Sequence, residues 1–337
     1  MKKAYLKFIS VYLPKNELSN GDLNATFPEW SVDKIGNKTG INTRHISADN
    51  EFSSDMAISA ANKLFVDYNI SPNEIDFLIL CTQSPDYFLP TTACIIQDKL
   101  GVSTSAGAFD FNLGCSGYVY GLAISKGLIT SGIAKNILFI TSETYSKFIH
   151  PADKSNRTIF GDAATATLIS SEEGFAEILD FDLGTDGKGA ENLIVKRGGV
   201  RFAKNENNDA ILDEYGNARN ENFLFMNGTE IFNFTSLMVP ELVKNVLTKN
   251  NMVMEDIDLH IFHQANKFML NHIRKKLNIK EEKFFFDIED CGNTVCSTIP
   301  IAMNKAMLSS NFGKESKILL AGFGVGYSWG GCILKMQ

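Results

Sequence analysis

The feature that most constrains this chain is that it repeats itself. Ile75-Asp76-Phe77-Leu78-Ile79-Leu80-Cys81-Thr82-Gln83 resembles Ile257-Asp258-Leu259-His260-Ile261-Phe262-His263-Gln264, and Ile257 lies 182 residues after Ile75. Each run follows an amphipathic helical stretch, Ser53 to Tyr68 in the first case and Thr229 to Asn250 in the second. Phe109-Asp110, ahead of Cys115, resembles Phe286-Asp287, ahead of Asn293, at a spacing of 177. Lys135-Asn136-Ile137-Leu138-Phe139-Ile140 resembles Lys317-Ile318-Leu319-Leu320 at about 181. Three blocks in one order at nearly one spacing mark a duplicated unit. Chance matching of apolar strands would not preserve the order. Strand-like runs alternate with helical patterns in both copies, so an α/β fold with mainly parallel, buried strands is expected. The two halves divide as residues 1–175 and 176–337.

Between the copies lies a polar segment, about residues 184–222. It contains Asp186-Gly187-Lys188-Gly189, Arg197-Gly198-Gly199 and Asn205-Glu206-Asn207-Asn208. A connection this long is either an elaborated loop over a site or disordered. Leu193-Ile194-Val195 within it reads as a short strand.

With 337 residues, 44% of them hydrophobic, the chain can bury two cores. No run of 18 apolar residues is present, so no membrane span is expected. The two early lysines and short apolar stretch after Met1 do not make a signal peptide. The net charge of -7 argues against a general nucleic-acid binder. Six cysteines without a Cys-x-x-Cys pair point to reduced thiols in the cytoplasm, with neither a disulfide framework nor a metal site.

One cysteine stands apart. Ala108-Phe109-Asp110-Phe111-Asn112-Leu113-Gly114-Cys115-Ser116-Gly117 reads as a strand, a glycine-flanked turn and the start of a helix. At a helix start, free N–H groups and the positive dipole end favour thiolate, which makes Cys115 a candidate nucleophile. Taken alone, Cys115 reads rather as a small buried residue. Its partners change the balance. His263 ends the strand of the second copy that matches Leu78 to Cys81, and Asn293 sits in the turn that matches the Cys115 turn. Parallel α/β sheets place ligands beyond the carboxyl ends of their strands. A pseudo-twofold relation between the copies would bring the three residues together. Gly322-Phe323-Gly324-Val325-Gly326-Tyr327-Ser328-Trp329-Gly330-Gly331 adds a glycine-dense segment that allows close backbone approach. An amide near Val325, with that of Cys115, would form an oxyanion hole.

These residues resemble the thiolase-fold condensing enzymes, and within them the β-ketoacyl-acyl-carrier-protein synthase III group. The resemblance spans essentially the whole chain. It rests on Gly114-Cys115-Ser116-Gly117, Phe160-Gly161-Asp162-Ala163-Ala164, His263-Gln264-Ala265-Asn266, Gly292-Asn293-Thr294 and the C-terminal glycine segment. It implies a thiolase-like, internally duplicated fold with α-β-α-β-α layers, and a triad of Cys115, His263 and Asn293. It implies an acyl pocket at Leu89, Met226 and Phe323, with Leu89 reaching across a homodimer interface. For carrier or CoA contact it implies Lys38, Lys154 and Arg157. On the helix after His263, Lys267, Arg274 and Lys275 are 7 and 8 residues apart and so share a face for an acidic carrier. Some positions depart from the commonest pattern. Val295 stands where serine is frequent, Phe268 where an arginine often follows the His-Gln-Ala-Asn motif, and Lys38 and Lys154 where arginine is usual.

The implied reaction is decarboxylative Claisen condensation. Cys115 takes an acyl group from acyl-CoA or an acyl carrier protein. His263 and Asn293 then hold the thioester oxygen of malonyl carrier as carbon dioxide leaves. No metal or redox cofactor is needed. Two alternatives remain at this point. One is acyl transfer to an amine or hydroxyl without condensation. The other is a papain-like cysteine hydrolase, which also uses Cys, His and Asn but in a different local context.

Overall fold

The computed structural model describes residues 2–206, 209–309 and 312–337. Asn207 and Asn208 of the polar segment, and Met1, lie outside the described residues. One large sheet organises the chain. Its strands are β1 (Tyr5–Tyr12), β2 (Phe77–Cys81), β3 (Gly107–Phe111), β4 (Asn136–Glu143), β5 (Ala163–Ser170), β6 (Ala176–Thr185), β7 (Leu259–Phe262), β8 (Lys317–Gly324) and β9 (Ser328–Met336). The spatial order is β7-β8-β9-β6-β1-β5-β4-β2-β3. The two ends mirror each other. β1, β2, β4 and β5 on one side correspond in position to β6, β7, β8 and β9 on the other. The counterpart of β3 shrinks to a bridge, where Phe284 meets His260. The halves join edge to edge through a short antiparallel contact, Tyr5 with Glu177 and Leu6 with Ala176.

The strands are not mainly parallel, contrary to the sequence expectation. β2–β3, β2–β4 and β7–β8 are parallel. β1–β5, β4–β5, β1–β6, β6–β9 and β8–β9 are antiparallel. The reason lies in the connections. β8 and β9 are separated only by residues 325–327, too few for a crossover, so the chain must turn straight back. In β4, β5, β8 and β9, burial on both faces erases the polar alternation that would have marked antiparallel strands in the sequence.

The principal helices are α1 (Ser53–Tyr68), α2 (Thr92–Leu100), α3 (Gly117–Thr130), α4 (Gly228–Lys249), α5 (Lys267–Lys276) and α6 (Thr298–Ser309). Strand alternation decides which layer each contacts. Ile79 and Phe139 point inward, as do Ile261 and Leu320 from the other half, onto Tyr118, Val119 and Leu122 of α3 and Ile299, Ala302 and Met303 of α6. Leu78, Leu80, Leu138 and Ile140 point outward onto α1 and α2. Leu319 and Ala321 point outward onto α4 and α5. The result is five layers, helix, sheet, helix, sheet, helix, with α3 and α6 in the middle. Among the described residues no helix is long and apolar enough to cross a membrane.

The polar segment is more ordered than a plain loop. β6 runs into it as far as Thr185. Leu193–Val195 is a strand, paired with Leu224–Met226. Ile211–Leu212 pairs with Ala218–Arg219 as a small hairpin.

Close packing in the central layer gives a test. A Cβ on Gly121 of α3 would overlap the ring of Phe139. That ring is wedged between Tyr118, at 5.5 Å, and Phe111, at 6.3 Å, and cannot step aside. Gly121→Ala should therefore destabilise the protein by about 1–3 kcal/mol, despite alanine's better helix propensity. Thermal unfolding checks this. A variant melting at or above the parent temperature would show that the layer has slack.

Candidate active site

Cys115 sits between the end of β3 and the start of α3, 6% exposed. Its backbone lies directly against β8 of the other half. A Cβ on Gly322 would come 2.7 Å from the Cys115 carbonyl oxygen, and one on Gly324 would come 2.9 Å from Cys115 Sγ. Only glycine permits that approach. The hydroxyls of Ser116 and Ser328 close the contact at 2.6 Å.

The thiolate expected from the helix start is not the resting form. Burial pushes the Cys115 thiol up to about 12, and the buried Glu143 carboxyl pushes the same way. The backbone N–H groups of Cys115 and Val325 act in the opposite direction and are outweighed. Those are the two amides expected to form an oxyanion hole, and both bear on the sulfur. A site this dry penalises charge more than two dipoles can repay.

His263 follows β7, its N–H donating to the Ala321 carbonyl at 2.8 Å. It is 2% exposed, and burial lowers its pKa to about 3, so the imidazole is neutral. Its Nδ1 lies 2.7 Å from Thr298 Oγ1. The Phe323 ring stands edge-on to it at 5.8 Å.

Asn293 is held by the Phe160-Gly161-Asp162 run. Its N–H donates to Ile159 O at 2.9 Å, and its carbonyl accepts from the Gly161 N–H at 3.0 Å. The Val295 N–H donates to Asn293 Oδ1 at 2.9 Å. That bond turns the side-chain Nδ2 toward His263 Nε2 and the Ala265 carbonyl, each 3.5 Å away.

Cys115, His263 and Asn293 all line one cavity of about 680 Å³. Phe160, Leu193, Met226, Ile231 and Phe323 give it apolar walls. Met226 and Phe323 thus line the same cavity as Cys115, His263 and Asn293. Leu89 is not in this cavity but on a loop after β2, 82% exposed beside Tyr87 and Phe88.

The basic residues divide. Lys38 stands at the exposed edge of the cavity, its Nζ 5.3 Å from the Trp30 ring centroid. Lys154 is buried and ion-paired with Glu29 at 2.8 Å. Arg157 donates to the Pro151 carbonyl at 2.9 Å. Lys267 and Arg274 line a second, more polar cavity between the helix Val32–Thr39 and α5. The shared face expected on α5 is not realised in full. Lys267 and Lys275 are exposed, but Arg274 turns inward to the Ile279 carbonyl at 3.2 Å and to Glu281. Among the described residues no His, Cys, Asp and Glu cluster could hold a metal ion.

Two residues beside the site, Glu143 and Thr298, escaped the sequence reading. Glu143 is fully buried, accepting from the Gln83 N–H at 2.8 Å and Ser84 Oγ at 2.9 Å. Burial raises its pKa to about 8. An acidic residue ending the apolar run Ile137 to Thr141 was the available signal. Thr298 offered none, since hydroxyls are common after any turn.

The chain matches known proteins in sequence and fold. Two family models fit the chain. That of 3-oxoacyl-[acyl-carrier-protein (ACP)] synthase III matches residues 109–187, and that of its C-terminal part matches residues 247–336. A β-ketoacyl-[acyl-carrier-protein] synthase III of Clostridium perfringens is 38% identical over 336 residues, covering 100% of both chains. The chain belongs to this family. A crystal structure of a 3-oxoacyl-(acyl-carrier-protein) synthase III is 46% identical, with a TM-score of 0.96 and coverage of 99% of this chain and 100% of that one. A 3-oxoacyl-(acyl-carrier protein) synthase from Burkholderia xenovorans LB400 is 35% identical, with a TM-score of 0.89 and coverage of 99% and 94%. The thiolase-like fold and the assignment to an acyltransferase class of enzyme follow from this membership.

The buried thiol makes a kinetic prediction. Alkylating agents react with thiolate, so the rate tracks the thiolate fraction. With the thiol pushed up to about 12, that fraction grows with every step in pH across the neutral and mildly alkaline range. Iodoacetamide labelling, followed by mass spectrometry on the Cys115 peptide, should accelerate about tenfold per pH unit from about pH 7 to 10. A plateau within that range would reveal a stabilised thiolate and contradict the burial argument.

Proposed function

We propose that this chain catalyses decarboxylative Claisen condensation of an acyl thioester with malonyl-acyl carrier protein, through an acyl-Cys115 intermediate. The observation that carries the reading is one cavity that joins a thiol to two uncharged polar side chains, His263 and Asn293. Condensation needs those properties. In the first half-reaction Cys115 sulfur bonds to the acyl carbon, the tetrahedral oxygen rests on the Cys115 and Val325 N–H groups, and the thiol proton leaves on the departing CoA or carrier sulfur. In the second, malonyl thioester enters and its oxygen accepts from His263 and Asn293. Carbon dioxide departs, and the enolate carbon displaces Cys115 from the acyl group. Each placed donor to a developing oxyanion contributes about 3–4 kcal/mol.

The same electrostatics disfavour a cysteine hydrolase. A papain-like site pairs thiolate with imidazolium, with the cysteine pKa lowered to about 3–4. Here burial drives both groups the other way. Transfer to an amine or hydroxyl shares only the first half-reaction, the acceptor then displacing Cys115 from the acyl group, and leaves Asn293 with no malonyl oxygen to hold.

Met226 and Phe323 fit the acyl chain, and Lys38, Lys267 and Lys275 are the exposed cations suited to the phosphates of CoA or an acidic carrier. Lys154, Arg157 and Arg274 are engaged within the protein and are weaker candidates. The halves 1–175 and 176–337 are read as the two copies of one unit. Tyr87, Phe88 and Leu89 are 62%, 78% and 82% exposed, an apolar group suited to covering by a second copy. Six free cysteines support a reducing, cytoplasmic setting.

The decisive assay is release of carbon dioxide from labelled malonyl carrier. Asn293→Ala should leave acyl-enzyme formation intact, as read by intact mass, while slowing carbon dioxide release about 10²–10³-fold. Lys267→Glu should raise KM for the carrier more than it lowers kcat. An active acyl-enzyme that releases no carbon dioxide would establish simple acyl transfer instead. Sedimentation at micromolar concentration should give a dimer, shifted toward monomer by Phe88→Asp. A monomeric parent protein would remove the proposed role of Leu89.

A further inference from the structure

A neutral imidazole carries one N–H. His263 therefore serves as an oxyanion donor only while its Nε2 is protonated, and something must hold it in that tautomer. Its Nδ1 lies 2.7 Å from Thr298 Oγ1, and the Val295 backbone carbonyl also faces the imidazole as an acceptor. Thr298 is 3% exposed at the first position of α6. The same hydroxyl lies 3.1 Å from the Val295 carbonyl oxygen.

A hydroxyl also has one proton to give. If Thr298 donates to Val295 O, it accepts from His263 Nδ1–H. Nε2 then accepts from Asn293 Nδ2, 3.5 Å away. Every group is satisfied, but His263 offers nothing to a substrate. If Thr298 donates to Nδ1 instead, the imidazole proton sits on Nε2. Nε2–H and Asn293 Nδ2 are then two donors facing one another, a pairing that is stable only with an acceptor between them. A thioester oxygen is such an acceptor. The two arrangements differ by one hydroxyl rotation and by which ring nitrogen carries the imidazole proton, without change of net charge.

We propose that Thr298 is a positioning residue for condensation, whose hydroxyl donates to His263 Nδ1 and so fixes the Nε2–H tautomer that meets the thioester oxygen. It turns to the Val295 carbonyl when no oxygen occupies the cavity. The proposal rests on the reading of His263 as a donor in the malonyl half-reaction. It gives the Val295 carbonyl a task as well, as the alternative acceptor that makes the switch reversible.

The test pairs Thr298→Val with Thr298→Ser in the full chain. Valine keeps the volume and removes the hydroxyl, whereas serine keeps the hydroxyl. The tautomer is read by 15N NMR of histidine-labelled protein, in which only five histidines must be resolved. The probe is malonyl-pantetheine with an amide in place of the thioester, which presents the oxygen but resists decarboxylation. With the probe bound, the parent protein and Thr298→Ser should show His263 protonated on Nε2, and Thr298→Val should show Nδ1 protonation or a mixture. Carbon dioxide release should fall about 10²-fold in Thr298→Val and recover to within about threefold in Thr298→Ser, with acyl-enzyme formation unchanged in both. Parent-like shifts and rate in Thr298→Val would overturn the proposal, as would equal impairment of both variants. A parent protein that releases no carbon dioxide would overturn the condensation reading instead, while the ring shifts would still report whether Thr298 sets the tautomer.

Discussion

The site depends on one contact, the backbone of Cys115 pressed against the glycines of β8. Everything else follows from how close that approach is. Gly322 and Gly324 leave no room for a side chain between the two halves. The Val325 amide, in the turn that follows β8, is thereby brought to bear on a sulfur that belongs to the first half. The cost of bringing two backbones so close is met by the central layer, where α3 and α6 fill the space between the half-sheets with Tyr118, Leu122, Ile299 and Met303. The Cys115 turn and the Asn293 turn each lead into one of those helices. Their packing sets the distance between the turns.

Closeness also dries the site, and dryness sets the chemistry. Cys115, His263 and Glu143 are all buried, and burial drives each toward its uncharged form. A neutral triad is poorly suited to activating water. It suits a reaction whose charge appears only on an oxygen in passing, because preorganised donors in a low-dielectric cavity act most strongly on such charge. Exclusion of water protects the enolate from protonation before it reaches the acyl carbon.

Much of this was legible in the sequence, for a physical reason. Buried strands are written as apolar runs, so Leu78 to Cys81 and Ile137 to Thr141 could be matched with Leu259 to Phe262 and Lys317 to Leu320. The register of those matches carried Cys115, His263 and Asn293 to equivalent strand ends. What could not be read was anything decided by a long-range partner. Lys154 looked available for a phosphate until Glu29, 125 residues away, was found beside it. Arg274 lies on the expected helix, yet the Ile279 carbonyl draws it inward. The antiparallel strands were hidden because Ala163 to Ser170 is buried on both faces, which leaves no alternation to detect. The thiolate expectation failed because a helix dipole can be inferred from a turn, whereas burial depends on the whole fold.

Val295 shows how the Asn293 turn is held rigid. A β-branched residue rarely adopts positive φ, yet Val295 has φ 57°. Such a conformation costs about 1–3 kcal/mol. It is offset by the side chain, which is 1% exposed within the cluster formed by Phe262, Phe284 and Ala265. Burial of a valine contributes about 1.5–3 kcal/mol, comparable to the strain. The conformation brings the Val295 N–H onto Asn293 Oδ1, so the amide cannot flip and Nδ2 remains the group turned toward His263. A glycine there would be unstrained, but it would lose the burial that holds the turn in place. The strained valine thus ties the orientation of the Asn293 amide to the packing of the second half's core. A loosening of that core would be felt at His263 and Asn293 before it reached Cys115.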